Sequence, residues 1–231
     1  MLSGLRRWSA QRAARYAAAP PADPPPFEGD PRDIPAAALD RHLLAADPQA
    51  YRLSRAEAEA AIALAVADGH ALAAQHAGTP QALAAQLGVR VETVLGNNRF
   101  GTIFQFAEYA AKPPRVLLYQ TAIETVAEAA ARHAIPLLPA RPEDVYLAHE
   151  LYHHLDQHRR IPISRAARAT TFALGPLRLT SGLHSLAEIG ACSFAAALTG
   201  LPCHPRLLDL LALRTIAPAA AAAMEAALRR G

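Results

Sequence analysis

The chain has 231 residues, of which 52% are hydrophobic, and a formal net charge of +3 at pH 7. This length suits one domain with appendages, and the spread-out charge does not favour nucleic acid as a partner. No apolar run reaches the ~20 residues of a membrane span, and the two cysteines form no C-x-x-C pair, which favours a reducing compartment. We therefore expect a cytoplasmic protein without a membrane partner.

The N-terminal 35 residues are rich in Ala, Arg and Pro and lack the apolar segment of a secretory signal. We predict a helix over 3–18 and a Pro-rich tether over 19–35. Residues 1–35 would then form an arm, and 36–231 the domain that carries the function. An organelle transit peptide has a similar composition and is the alternative interpretation of the arm.

Helix-start signals divide residues 36–88 into three segments. Ser54 and Glu57 have the spacing of a capping box. Thr79 before Pro80 supplies an N-cap and a proline for the first turn. The predicted helices cover 36–47, 54–78 and 79–88.

The pattern then changes to β-branched, alternating residues, which are typical of strands. Turn signals at GNN and KPP separate three such runs. We predict strands over 89–95, 99–110 and 115–119, followed by a helix over 121–133. The predicted fold class is α+β, mostly helical, with a small antiparallel sheet next to the helix described next. We expect the Ala-rich C-terminus to form a helix that packs or frays at the surface.

A helix that begins at Pro142 carries His149, Glu150 and His153 in the order H-E-x-x-H. At about 100° per residue the two histidines lie on one face, and a stripe of leucines lies roughly opposite. Two imidazoles one turn apart can bind one zinc ion, and the carboxylate between them can reach water at the metal. The pattern therefore predicts a zinc hydrolase helix.

A catalytic zinc site takes three protein ligands and keeps one open position. The candidates for the third ligand are Asp156, His158, His184, Glu188, Cys192 and His204. The helix over 185–202 is the best source, since His184, Glu188 and Cys192 recur every four residues on one face. From the residues alone, two roles of Glu188 are equally supported: it could be the third metal ligand, or it could form a capping box with Ser185.

Other residues near the motif have structural interpretations. We expect Asp156 to orient a histidine, and His154 and His158 to lie on the surface. The small residues Gly190, Ala191 and Ala195 are expected to let the second helix pack closely against the motif helix.

An H-E-x-x-H helix followed by a helix reading E-x-x-A-x-x-F-A-A-x-L resembles the ImmA/IrrE-type metallopeptidases. In this chain the second pattern runs from Glu188 to Leu198, with Pro202 soon after. The order of a short helix, strands and the motif helix is similar too, so the resemblance covers roughly residues 79–202.

The resemblance implies a gluzincin-like zinc peptidase with a zincin-like fold. Its zinc ligands would be His149, His153 and Glu188, and Glu150 would be the general base for a zinc-activated water. The partner would be a peptide or protein substrate, with a transcriptional repressor as one candidate.

Two departures from the family pattern concern the surroundings of the site. Position 192 is Cys where the family commonly has Asn, which removes or replaces a hydrogen bond. A basic insertion over 159–182 could form a substrate wall or a lid, and the sequence does not decide between them.

The partner that stabilises the oxyanion is open at the level of sequence. The candidates are Tyr109, Tyr146, Tyr152 and His184. We prefer His184 because it shares a helix face with Glu188. An extended substrate is expected to pair with an edge strand, over either 99–109 or 115–119.

Two functions of other classes stay open. Residues 79–95 also resemble the first two helices of a helix-turn-helix, which would make the protein a DNA-binding regulator. Whether 89–95 is strand or helix distinguishes the two readings. The second alternative is a zincin-like protein that holds a metal but cleaves nothing and acts as a regulator or scaffold.

Overall fold

The computed structural model describes residues 30–230, apart from positions 97, 101, 102, 138 and 176. The predicted helix over 3–18 and most of the predicted tether lie outside the described residues. The end of the tether prediction is wrong, because Pro31 and Ile34 are buried and Ile34 packs in one apolar cluster with Leu207 and Leu228. The packed domain therefore begins before residue 36. No helix in the described part of the chain is long and apolar enough to cross a membrane.

Helices dominate the described chain, as the α+β class predicts. They are α1 (Ala36–Ala45), α2 (Arg55–Ala73), α3 (Pro80–Gln86), α4 (Gln120–Arg132), α5 (Pro142–Gln157), α6 (Ser185–Thr199), α7 (Pro205–Ile216) and α8 (Pro218–Arg230). The predicted capping box is confirmed, since the Glu57 N–H donates to the Ser54 hydroxyl and the Ser54 N–H donates to the Glu57 carboxylate. The Thr79 hydroxyl likewise accepts the N–H of Ala82 at the start of α3.

One helix is shorter than the sequence indicates. α2 ends at Ala73 rather than near Gly78. The N–H groups of Gln75 and His76 donate to the carbonyls three residues earlier, on Leu72 and Ala73. These tighter bonds close the helix in a turn before the glycine is reached.

Within the described residues, the strands form three small sheets. They are β1 (Arg90–Val94), β2 (Asn98–Phe100), β3 (Ile103–Gln105), β4 (Ala107–Ala111), β5 (Pro114–Tyr119), β6 (Arg168–Leu174) and β7 (Leu177–Gly182). The predicted second strand, 99–110, is divided among β2, β3 and β4. β2 and β3 pair as a separate hairpin, and so do β6 and β7.

The main sheet has the order β1-β5-β4 and is mixed rather than antiparallel, so this part of the prediction is wrong. β5 pairs in parallel with β1 and antiparallel with β4. β5 is the most deeply buried strand, with Val116 and Leu118 inside the core, and it takes the central position. Because both of its edges are paired, the predicted pairing of a substrate with 115–119 is wrong, whereas β4 lies at one edge of this sheet and β1 at the other.

The C-terminal helix α8 is packed rather than frayed. Ala221 and Leu228 are buried in an apolar cluster with α1 and α7. Glu225 is buried as well and accepts a hydrogen bond from Arg214 Nη1 at 2.6 Å. A buried charge needs such a partner, so this pair fixes how α8 lies on α7.

Candidate metal centre

The buried residues of α5 determine which face of this helix is turned towards solvent. Leu147 and Leu151 are fully buried, as the leucine stripe predicts. Tyr152 is also fully buried, and its hydroxyl donates to Asp68 on α2 at 2.7 Å. With this side held, His149, Glu150 and His153 lie on the part of the helix that is turned away from the leucines.

Close packing brings α6 to α5 and α2. A Cβ on Gly190 would lie 2.6 Å from Cζ of Tyr152, and a Cβ on Gly69 of α2 would lie 2.8 Å from the backbone nitrogen of Phe194. Real Cβ atoms are not found at such distances, so only glycine fits at both positions. The prediction that small residues allow close helix packing is confirmed at Gly190.

This packing brings three possible metal donors together. His149 Nε2 lies 3.3 Å from Glu188 Oε2, and His153 Nε2 lies 3.4 Å from Glu188 Oε1. The two imidazole Nε2 atoms are 3.2 Å apart. The histidine side chains are 18% exposed and that of Glu188 is 51% exposed, so the cluster opens to solvent on the side of Glu188.

The separations of these donors are close to those that a zinc ion needs. Tetrahedral zinc with bonds of about 2.0–2.1 Å places its ligand atoms about 3.3–3.4 Å apart. The two imidazole nitrogens are 3.2 Å apart, each lies 3.3–3.4 Å from a different oxygen of Glu188, and one ligand atom from each residue lies within 4.8 Å of the others. Two imidazole nitrogens and one carboxylate oxygen are also a donor set that catalytic zinc accepts, with a fourth position left for water.

The protein groups of the cluster shift one another's pKa values. Burial lowers the pKa of His149, but hydrogen bonds to Cys192 and Glu188 outweigh burial and hold it well above the usual value. Burial and the charge on His149 lower the pKa of His153 to about 4. The Glu188 carboxyl is partly desolvated, yet its hydrogen bond from His149 lowers its pKa to about 2. Glu188 is therefore a carboxylate, which is the form that binds a cation.

Glu150 lies beside the donors but is not one of them. Burial raises the pKa of its carboxyl above the usual value, although the charge on His149 acts in the opposite direction. The backbone of Tyr109 in β4 also hydrogen-bonds to Glu150 and lowers this pKa. A raised carboxyl pKa brings a general base nearer to neutral pH, and the contact with Tyr109 places β4 next to it.

A cavity of about 340 Å³ opens from the cluster. Its wall includes His149, Glu150, Glu188 and Cys192 at one end. The remaining wall comes from β3, β4, α5, α7 and α8. The site therefore combines a candidate metal centre with a concave space, as small-molecule and peptide sites usually do.

Cys192 replaces the Asn that is common in the resembled family, and it contacts His149. The thiol is buried, and burial raises its pKa. A hydrogen bond connects it to His149. The hydrogen bond expected from an Asn at this position is therefore replaced by a thiol contact to the first histidine of the motif.

The capping-box alternative for Glu188 is not formed. The N-cap of α6 is His184 and Ser185 is the first helical residue, whereas a capping box with Glu188 needs Ser185 at the N-cap. The Ser185 N–H and hydroxyl both donate to Asp47, at 3.0 and 3.2 Å. Glu188 lies instead against the two histidines. Asp47 is 138 residues away in sequence from Ser185, so no local pattern indicates this exchange of partners.

Two expectations for neighbouring residues of α5 are wrong. His154 is buried rather than on the surface, and its Nδ1 lies 2.7 Å from the Tyr109 hydroxyl, because the sheet covers this side of the helix. Asp156 does not orient a histidine, since its Oδ1 accepts the N–H of Ile163 at 2.9 Å. It closes the loop after α5 instead. His158 is exposed, as predicted.

The other candidates for the third ligand are placed elsewhere. His204 Nε2 lies 3.1 Å from Asp40 Oδ1, and both side chains are buried. His184 is exposed at the N-terminus of α6 and does not line the cavity, which leaves it as an oxyanion candidate without support. In the described part of the chain, the potential metal cluster consists of His149, His153 and Glu188.

The hydroxyl groups of the three tyrosine candidates for the oxyanion partner already have hydrogen-bond partners. The Tyr152 hydroxyl binds Asp68 and the Tyr109 hydroxyl binds His154. Tyr146 lines the cavity, but its hydroxyl donates to Asp209 at 2.9 Å. Of the four candidates, Tyr146 is the one that combines a polar group with a place in the cavity wall.

Sequence reasoning missed the residues of α7 that face the site. Arg206 and Asp209 line the cavity, and Arg206 Nη1 donates to Asp209 at 2.7 Å. Their spacing of three residues is compatible with an ordinary ion pair on a helix surface. No signal in the sequence distinguishes that arrangement from a cavity wall.

Comparisons with known proteins identify no relative. No family model matches the sequence, and no curated protein and no solved structure matches the chain. The resemblance to the ImmA/IrrE-type metallopeptidases therefore rests on the motifs in the sequence.

Proposed function

We propose that this protein is a zinc-dependent peptidase of the ImmA/IrrE type. The observation that carries the proposal is the convergence of His149, His153 and Glu188 to within 4.8 Å of one another, with Glu150 adjacent on the same helix. Glu188 comes from a different helix, so its arrival is not a consequence of the H-E-x-x-H spacing. The donor set of two imidazole nitrogens and one carboxylate, grouped within 4.8 Å, supports zinc as the cofactor.

The residues of this chain divide the reaction among them. Bound zinc would supply a Lewis acid that polarises a peptide carbonyl and makes water more acidic. Glu150 takes the proton of the attacking water and then delivers it to the amine that leaves when the C–N bond breaks. His149, His153 and Glu188 hold the cofactor, and the buried contacts of α5 hold Glu150 in place.

The free edge of β4 is where we place an extended substrate. The hydrogen bond from Tyr109 to Glu150 joins this strand to the proposed general base. A peptide added along β4 would make backbone hydrogen bonds that do not depend on its sequence, next to the residue that acts on water. We propose a protein substrate in the cytoplasm, with a transcriptional repressor as one candidate.

The segment that should form the second helix of a helix-turn-helix is a strand. Residues 90–94 form β1, which pairs with β5 over five residues. A DNA-binding unit of this kind needs a recognition helix after the turn. The strand therefore favours the peptidase proposal over a DNA-binding regulator.

The first test is the zinc content per chain, measured by elemental analysis on identically purified proteins. We expect about one zinc in the wild type, a large loss in Glu188→Ala, and no loss in Glu128→Ala. Glu128 lies exposed on α4, so it controls for the removal of a carboxylate. A folded wild type that neither contains zinc nor takes it up would contradict the proposal. Zinc without cleavage of any protein would favour the metal-holding regulator or scaffold.

A further inference from the structure

The cavity beside the metal donors has an apolar interior. Its wall combines side chains from the sheet, α5, α7 and α8, among them Phe106, Val145, Leu210, Leu213, Ile216 and Met224. Phe106, Val145 and Leu210 are buried, whereas Leu213, Ile216 and Met224 are partly exposed. Three apolar residues therefore have exposed surface that an occupant of the cavity could cover.

The polar groups of the same wall bind mainly one another. Asp209 accepts hydrogen bonds from Arg206 Nη1 at 2.7 Å and from the Tyr146 hydroxyl at 2.9 Å. The charges of Arg206 and Asp209 compensate each other at this distance. An occupant would therefore meet an arginine and an aspartate that already pair with each other, and a larger apolar surface.

One feature of the wall points to a different occupant. Arg206 Nε is buried and has no hydrogen-bond partner among the described residues. An acidic side chain or a terminal carboxylate could accept from it. However, Arg206 already donates to Asp209 through Nη1 at 2.7 Å, so an acidic occupant would share a guanidinium that has an anionic partner. The larger apolar surface favours an apolar occupant, and an acidic occupant is the alternative that the test below separates.

We propose that this cavity receives a large apolar side chain of the substrate, from the residue next to the bond that is cut. The inference rests on the proposed peptidase function, because the donors at the mouth of the cavity define where the bond lies. Removal of apolar surface from water stabilises the bound side chain. Leu213, Ile216 and Met224 are then the residues that determine specificity, and α8 belongs to the substrate site.

The chain offers a direct reporter of the cavity. It has two methionines, Met1 and Met224, so protein labelled with ¹³C at the methionine methyl groups gives two methyl NMR signals, and a Met224 variant assigns them. The probes are blocked tripeptides with Leu, Asp or Lys between two glycines. They are added to the Glu150→Gln protein loaded with zinc, so that no peptide is consumed.

We expect the Leu peptide to shift the Met224 signal at a concentration about tenfold or more below that required for the Asp or Lys peptide. Leu213→Asp should abolish this preference. The matched control is Leu95→Asp, which adds the same charge at a residue that is 84% exposed and does not line the cavity. Zinc content and circular dichroism establish that both variants are folded.

The outcomes separate the inference from the function on which it rests. Stronger binding of the Asp peptide would overturn it in favour of recognition by Arg206, and a Met224 signal that no peptide shifts would overturn it as well. A preference for Leu in a wild type that cleaves nothing would leave apolar binding intact and contradict the peptidase proposal. If the wild type cleaves proteins, mapped cuts without an adjacent large apolar residue would contradict the inference and leave the peptidase function standing.

Discussion

Two polar networks at α5 differ in how their groups are satisfied. In the first, which we call the structural network, Tyr152 donates to Asp68, and Arg159 donates to both oxygens of the same carboxylate at 2.7 and 2.9 Å. Asp156 accepts a backbone N–H. In the second, the candidate metal cluster, His149 and His153 bring their Nε2 atoms to 3.2 Å from each other, and each faces Glu188.

This difference separates a structural network from a candidate functional one. In the structural network each donor named meets an acceptor and the cation meets an anion, which stabilises a fold. In the candidate metal cluster two imidazoles oppose each other's protonation, and the charge on His149 contributes to lowering the pKa of His153. Glu188 pairs with His149 but leaves His153 without a proton, and a cation could bind all three groups at once. Variants in the two networks should therefore have different consequences.

The largest expected effect is on catalysis alone. Glu150→Gln keeps the shape of the side chain but cannot accept the proton of water, so peptide hydrolysis should fall about 10²–10⁴-fold. Zinc content should stay at the wild-type value, because Glu150 is not one of the three donors. Turnover of a cleaved protein and elemental analysis check the two parts. Loss of zinc in this variant would make Glu150 a ligand or a structural residue and contradict the mechanism.

The next effect is stabilisation by the metal. Zinc at 100 to 1,000 times its dissociation constant should stabilise the wild type by about 2.7–4 kcal/mol, because it binds the folded state. Glu188→Ala should lose most of this gain, and its zinc-free melting temperature should fall only slightly, because the contact that it removes with His149 involves a side chain that is 51% exposed. Thermal unfolding with zinc and with a chelator measures both. If zinc stabilised the variant as much as the wild type, the metal would bind at a site that does not include Glu188.

A variant at the contact between α2 and α6 should affect both the stability of the fold and the candidate metal cluster. In Gly69→Ala the new methyl group would lie 2.8 Å from the Phe194 nitrogen and from Ser193 Cβ on α6. Because α6 carries Glu188, the clash should destabilise the fold by about 1–3 kcal/mol and weaken zinc binding. Urea unfolding and zinc titration check the two effects. An unchanged midpoint would show that α2 and α6 are not in close contact there.

The smallest effect should be confined to the structural network. Tyr152→Phe removes the hydroxyl that donates to Asp68 at 2.7 Å and keeps the ring. We expect a loss in the free energy of unfolding of about 1.5–3 kcal/mol at most, since the acceptor is charged, and less because Arg159 still binds Asp68. Zinc affinity should not change. A fall in zinc affinity comparable to that of Glu188→Ala would mean that the two networks are coupled.

The sequence by itself determined the local features. The capping box at Ser54, the start of α3 at Thr79 and the start of α5 at Pro142 depend on neighbours within four residues, and all three are confirmed. The placement of His149 and His153 on one side of α5 follows in the same way, since 3.6 residues per turn bring positions four apart together. The leucine stripe likewise predicts the buried side.

Only the tertiary structure decided the features that join distant parts of the chain. The sequence allows two roles for Glu188, a metal ligand or a partner of Ser185 in a capping box. The choice depends on Asp47, which is 138 residues away in sequence and accepts the hydrogen bond of the Ser185 hydroxyl. The burial of His154 depends on β4, and the central position of β5 depends on the order of strands in the sheet. The cavity wall of α7 and α8 has no sequence signal. Helix geometry repeats along the chain and can be read from spacing, whereas packing between elements results from shape and burial over the whole fold.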